Sequence, residues 1–195
     1  PNEYHPLEQD ERGSYIFNSK DLCMIEHVPE LIDAGISSFK IEGRMKGINY
    51  LASVVKTYRH AIDAYWDEPK NFKIDPEWIE ELFQVYHRDY CTGFYFDNIK
   101  EKSPNYENIH GGRIHSFIGK VKENKTNTNH LVEIRNKICS DDVIEILSPT
   151  RPTTRSTIIE LSDINGNPIN QAHLNTSALM KLEINCEIND IVRKL

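Results

Sequence analysis

No run of this sequence stays apolar for the ~20 residues that a membrane-spanning helix needs, and the spacing C-x-x-C occurs nowhere in it. The four cysteines, Cys23, Cys91, Cys139 and Cys186, lie too far apart to read as the disulfide framework of a small secreted domain, so a reducing cytoplasm is the expected compartment. Missing too are a GxSxG elbow, an HExxH helix, a Walker sequence and any Ser–His–Asp signal. Among the histidines, Glu26–His27 is the nearest acidic pairing, and adjacent residues do not share a helix face. A self-contained protease site is therefore not legible.

A surplus of positive charge is lacking as well. Residues 1–104 carry 12 Lys and Arg against 19 Asp and Glu, and residues 105–195 carry 11 against 11. Neither half has the basic balance that drives non-specific binding to nucleic acid, so an RNA partner would have to be held by local patches. No signal peptide is legible in the opening "PNEYHPLEQDERG", and a start on Pro leads us to expect an excised piece of a longer protein.

What is present has ordinary globular proportions, 38% hydrophobic and 27% charged, on a chain of 195 residues that can bury a real core. Its first half reads as alternating strand and helix. "SYIFNS" (residues 14–19) predicts a short strand running into an N-cap at Asn18 or Ser19, and "KDLCMIE" predicts a short helix. "PELIDAG" predicts a second helical piece that opens at Pro29 and stops at Gly35. "ISSFKI" (residues 36–41) reads as a strand, "EGRMK" as a loop, and residues 47–68 as a long helix with apolar Ile48, Leu51, Ala52, Val55, Tyr58, Ala61, Ile62 and Tyr65 on one face. "IDPEWIEELFQVYHR" predicts another helix with Asp75 as cap and Pro76 in its first turn.

Composition changes at residues 98–112, where "NIKEKSPNYENIHGG" (written from Asn98) is polar and turn-rich and reads as a linker. Six short alternating runs follow, from "RIHSFIGKVKEN" to "DIVRKL", separated by turn signals such as "NKTNTN" and "INGNPIN". That pattern predicts a small closed or nearly closed β-barrel, since closure removes exposed edges. The expected organisation is α/β over residues 1–97, a linker at 98–112, and an all-β barrel over 113–195.

Chemistry concentrates in two places. Glu42, Arg44 and Lys46 sit between a predicted strand and a predicted helix, the position where α/β barrels build active sites. Arg and Lys together there suit a carboxylate or phosphate, and Gly43 permits close backbone approach. The plainer reading is an exposed Glu42–Arg44 ion pair worth less than ~1 kcal/mol. Cys23 is expected in the first turn of a helix, whose dipole would favour thiolate and make it a metal ligand or a nucleophile; the plainer reading is an inert buried thiol. The other cysteines read as structural. "YHRDYCTGFYF" (residues 86–96) could stack bases or serve as apolar glue between domains.

The segments "NSKDLCMIEHVPELIDAG", "SFKIEGRMK", "YLASVVKTYRHAIDAY" and "HRDYCTGFYF", with the weaker "EIRNK", resemble the U-32 family, long labelled collagenase-like peptidases. The resemblance spans nearly the whole chain. It implies the last βα units of a TIM-like barrel followed by a small β-barrel. Family members are linked to tRNA hydroxylation at a wobble uridine, giving 5-hydroxyuridine with prephenate implicated, and others to rRNA or ubiquinone hydroxylation. For this chain the resemblance implies Cys23 as one ligand of an iron–sulfur cluster whose other ligands lie upstream. It also implies Arg44 and Lys46 as substrate-binding groups that hold a carboxylate or phosphate, Glu42 as a catalytic or orienting carboxylate, a prephenate-derived co-substrate, tRNA as the partner of the parent protein, and no cluster or turnover from this piece alone. Cys91 departs from the family pattern, where a plain residue is usual, and takes no role.

Overall fold

The computed structural model describes residues 7–10, 13–16, 20–96 and 116–195. Contacts divide the chain into two compact units, one of Pro1–Ile41 with Thr57–Arg113 and the other of Glu42–Lys56 with Ile114–Leu195. The linker expected at 98–112 and the N-cap at Asn18 or Ser19 lie outside the described residues.

In the first unit, β1 (Leu7–Asp10) and β2 (Gly13–Ile16) pair antiparallel. The next strand is β3 (Asp21–Leu22), and it is followed by a 3₁₀ turn at Ile25–His27, so the helix expected over "KDLCMIE" does not form. Its residues are taken by pairing instead: β3 lies parallel to β4 (Tyr90–Cys91), with Leu22 opposite Cys91. Helix α1 (Val28–Asp33) has Pro29 in its first turn, where a missing N–H costs nothing, and Gly35 follows its cap with φ +80°, a conformation that glycine adopts without Cβ strain. Helix α2 (Ile48–Asp67) matches the predicted long helix, and α3 (Pro76–Phe83) starts as expected, Asp75 accepting a hydrogen bond from the Glu77 N–H. It ends earlier than the apolar pattern, which runs on through Val85 into the approach to β4.

Two further expectations change. Residues 36–41 form no strand, because a strand exists only where a neighbour takes its backbone hydrogen bonds, and among the described residues none does. On α2 the buried positions are Ser53, Val54, Thr57 and Ala61, while Ile48, Leu51 and Val55 of the predicted stripe are exposed.

The second unit holds the barrel. Strands β5 (Ser116–Asn124), β6 (Asn129–Ile134), β8 (Val143–Leu147), β9 (Thr154–Ser162), β11 (Ser177–Leu182) and β12 (Ile191–Lys194) close in the order β11–β6–β5–β12–β8–β9, every pair antiparallel. Short β7 (Ile138–Cys139) and β10 (Gln171–Ala172) pair beside it. Period-two alternation does what it must: on β6, His130, Val132 and Ile134 turn inward, and on β11, Ala178, Met180 and Leu182 do so. The apolar residues among them join Ile118, Val121, Ile144, Ile146, Leu161 and Val192 in one core.

Strands β8 and β12 break the alternation, being buried on both faces. Arg193 and Glu145 are directly opposite across this pair, and the Arg193 guanidinium, fully buried, donates to Glu145 Oε2 at 2.5 Å and to Ser53 Oγ of α2 at 3.3 Å. Lys56 of α2 donates to the Arg151 carbonyl (2.7 Å) and to Thr153 Oγ1 (3.3 Å). The first half of α2 is therefore fastened to the barrel by one buried polar contact, at Ser53, and two half-buried ones, at Lys56. This accounts for a small hydroxyl residue, Ser53, at a buried position of that half.

Candidate functional site

Cys23 follows β3 directly and is held by two neighbours, Cys91 and Tyr58. Its backbone N–H donates to the Cys91 carbonyl at 2.9 Å, continuing the parallel ladder by one rung. The hydroxyl of Tyr58, from α2, accepts the Met24 N–H at 2.8 Å and donates to Cys23 Sγ at 3.8 Å. The ladder is pinned at its start by Asp21, whose carboxylate takes the Arg88 backbone N–H (3.1 Å) and side-chain Nε (2.7 Å). On the other side, Tyr90 stacks on His87 with ring centroids 4.2 Å apart and donates its hydroxyl to the Leu82 carbonyl at 2.9 Å, which ties β4 to the end of α3.

The electrostatics of Cys23 differ from the expected helix-dipole effect. Burial pushes its thiol up from the usual value, against smaller opposing contributions from the Ile25 backbone and the Tyr58 hydroxyl. A thiol in these surroundings stays protonated near neutral pH and becomes a thiolate when a cation compensates the charge. It is not a poised nucleophile. Cys186 is buried still more firmly, its thiol pushed up to about 12 by burial and by the nearby Asp190.

The thiol of Cys23 borders a cavity of about 170 Å³, lined also by Ile25, Glu26, Ile79, Leu82, Phe83, Tyr90, Cys91 and Thr92. Cys91, given no role from sequence, thus shares the cavity of Cys23. Tyr58, read from periodicity as one more apolar position, supplies the hydroxyl that touches the sulfur. Spacing in the chain could signal neither, since Cys91 is brought in by strand pairing and Tyr58 by the pitch of α2. The donor chemistry of Cys23 fits thiolate ligation of an iron–sulfur cluster. Among the described residues, however, no group of three or more His, Cys, Asp and Glu is arranged to hold a metal, so those residues by themselves do not complete such a set.

Glu42, Arg44 and Lys46 fall in the other compact unit, just ahead of α2. Glu42 and Arg44 are exposed, and Glu42 Oε1 accepts the Arg44 backbone N–H at 2.9 Å, which shapes the turn. Lys46 donates its backbone N–H to the Gly43 carbonyl (2.9 Å) and sets its Nζ 4.8 Å above the Tyr50 ring. A Cβ on Gly43 would collide with the Leu51 side chain, so glycine lets this turn lie close to α2. In the aromatic run, Tyr90 is an anchor inside its own unit, whereas Phe94 is 85% exposed and Tyr95 61% exposed.

An α/β part with a cavity-lining cysteine, followed by a closed six-stranded barrel, is the class of protein defined so far. The family model Peptidase family U32 matches residues 2–105, and that of the Peptidase family U32 C-terminal domain matches residues 113–193. The chain belongs to this family. It is 37% identical over 169 residues to tRNA hydroxylation protein P1 of Bacillus subtilis, a match covering 84% of this chain and 39% of that protein. To tRNA hydroxylation protein P of Escherichia coli it is 35% identical over 152 residues, covering 76% and 32%. A Collagenase of Porphyromonas gingivalis is 37% identical over 89 residues, covering 46% and 22%. The chain thus spans well under half the length of these relatives. A crystal structure of the C-terminal domain of a Geobacillus thermoleovorans U32 peptidase aligns with 40% of this chain and 91% of that one, at 22% identity and a TM-score of 0.38.

Proposed function

We propose that this chain is part of a protein that hydroxylates a tRNA uridine to 5-hydroxyuridine, and that its barrel braces the α/β part. The observation that carries this reading is the extent of the two matches to proteins named for tRNA hydroxylation, which cover 84% and 76% of the chain. Cys23 serves as one ligand of an iron–sulfur cluster in the parent, which supplies the redox chemistry when bound. Arg44 and Lys46 hold the carboxylate or phosphate of a prephenate-derived co-substrate or of the RNA, and Glu42 keeps their turn in shape through the Arg44 N–H. Tyr58 orients the Cys23 sulfur.

Bracing is favoured over RNA recognition for the barrel by its zero net charge over residues 105–195, and by the buried Arg193–Ser53 and half-buried Lys56–Arg151 contacts that hold residues 42–56 within the barrel's own unit. A peptidase reading draws on the relatives named Collagenase. It requires a nucleophile–base pair or a metal-activated water, and neither is legible in the sequence.

The test is mass spectrometry of tRNA nucleosides from a strain deleted for the parent gene and complemented with wild type, Cys23→Ala or Arg44→Ala. Loss of 5-hydroxyuridine on deletion, restored by wild type and not by Cys23→Ala, is the expected result. An unchanged nucleoside profile, together with collagen or casein cleavage by the purified parent, overturns it.

A further inference from the structure

A hollow of about 720 Å³ on the barrel has no part in the reading above, and its size falls among those of ligand sites, about 300–1,000 Å³. Strand alternation gives it an apolar floor. The neighbours of Leu131 on β6 and of Leu179 on β11 point into the core, so these two leucines, directly opposite each other, turn outward. The loop between β9 and β10 adds Ile164 and Ile169, and β10 adds Gln171 and His173, which share a strand face two positions apart. Ile164 is 65% exposed, apolar surface that the fold itself does not use.

The walls are set without a ligand. Asp163 Oδ1 accepts the backbone N–H groups of Asn165 (2.8 Å) and Asn167 (2.9 Å), and its Oδ2 accepts the Asn167 side-chain amide at 2.9 Å. Past β10, the Thr176 hydroxyl donates to the His173 carbonyl at 2.6 Å. Preformed walls spare an occupant the cost of ordering them. Charge then narrows the choice of occupant. Lys125 and Asp163 alone among Lys, Arg, Asp and Glu line the hollow; Lys125 Nζ stands 2.7 Å from Glu123 Oε1, and both Asp163 oxygens are engaged by its own loop. A phosphate finds no unshared cation there. No Phe, Tyr or Trp lines the hollow, so a stacking platform for bases is missing too. What remains is aliphatic surface beside the carboxamides of Asn165 and Gln171, each offering a donor and an acceptor together, as a peptide group does.

We propose that this hollow is a docking site for an uncharged, aliphatic segment of a partner polypeptide. Leucine or isoleucine side chains of the partner rest on Leu131 and Leu179, and its main-chain groups meet the carboxamides of Gln171 and Asn165. The segment is held and not cut. The inference goes beyond the tRNA reading and does not depend on it, so a failed nucleoside assay leaves it intact.

The experiment is methyl NMR of the 195-residue chain, labelled at Ile and Leu. It is titrated separately with the capped peptide acetyl-Ala-Leu-Leu-Ala-amide, its counterpart acetyl-Ala-Lys-Lys-Ala-amide, and oligouridylate. The methyl signals of Leu131, Ile164, Ile169 and Leu179 should move saturably with the leucine peptide, with a Kd of ~1 mM or tighter. They should stay in place with the other two, and the leucine peptide should be recovered intact. Gln171→Ala, at an exposed position, should weaken binding at least ~3-fold, and Leu179→Ser at least ~10-fold. Should Leu179→Ser fail to fold, Ile164→Ser takes its place. No saturable movement with the leucine peptide, equal movement with the lysine peptide, tighter binding of oligouridylate, cleavage of the peptide, or unchanged affinity in both Gln171→Ala and Ile164→Ser overturns the proposal.

Discussion

His130 lies fully buried in the wall of the barrel, with Nδ1 2.8 Å from Asn124 Oδ1 and Nε2 3.3 Å from the Ile184 carbonyl. Burial holds its imidazole below the usual 6.5, although the Ile184 carbonyl draws it the other way. Below that usual value the unfolded chain takes up a proton that the folded barrel resists, so His130 removes stability as pH falls and adds none as pH rises. Denaturant midpoints measured at pH 7.5 and 5.5 should therefore fall more for wild type than for His130→Gln; an equal or smaller fall in wild type would contradict this assignment. At Cys23 the same force acts on a group of opposite charge type. Burial raises a thiol and lowers an imidazole because in both cases it penalises the charged form. Sequence located Cys23 as a candidate ligand but misjudged its surroundings, because a helix dipole was inferred where β3 forms.

At the scale of elements, Gly119 on β5 decides whether the barrel closes tightly. A Cβ there would be driven into the Glu133 carbonyl of β6, a backbone atom held by the ladder and unable to step aside. Gly119→Ala should cost on the order of 1–3 kcal/mol through overpacking and a disturbed β5–β6 ladder, read as a lowered midpoint in urea. Gly166→Ala, in an open turn at φ +88°, meets no atom but is strained by its backbone angle alone and should cost less, about 1 kcal/mol. The six barrel strands were legible because each pairs with its neighbours inside the chain and so shows the period-two pattern undisturbed. Residues 36–41 carry an equally strand-like pattern and stay unpaired, since β character in the sequence names a segment that can pair but not a partner. Parallel sheets are ordinarily covered on both faces and extended by further strands. Among the described residues β3 and β4 pair with each other and with no further strand.

At the scale of the whole molecule, the second unit is unified by the Arg193–Glu145 pair and its link to Ser53. Arg193→Met removes the guanidinium 2.5 Å from a buried carboxylate, whose contact to Arg155 is longer at 3.7 Å, and should cost on the order of 3 kcal/mol. Hydrogen exchange should then show faster exchange of α2 amides over residues 50–56 than elsewhere on that helix. The double change Arg193→Met with Glu145→Leu should recover most of the stability but not the slow exchange, because the hydrogen bond to Ser53 is still missing. Uniform acceleration or no change along α2 would show that the contact to Ser53 does not hold it.

The sequence by itself determined the elements whose patterns are local: the span of α2, the cap and first turn of α3, the stop of α1 at Gly35 and the six strands of the barrel. It also marked Cys23, Glu42, Arg44 and Lys46 as the residues with chemistry to offer. Only the tertiary structure decided which thiol stands beside Cys23, which hydroxyl touches its sulfur, and which face of α2 is buried. Those are pairings between residues 35 to 140 positions apart. Hydrophobic periodicity reports how a segment meets an apolar surface, and it carries no signal for a strand register or for a buried arginine waiting on the other side.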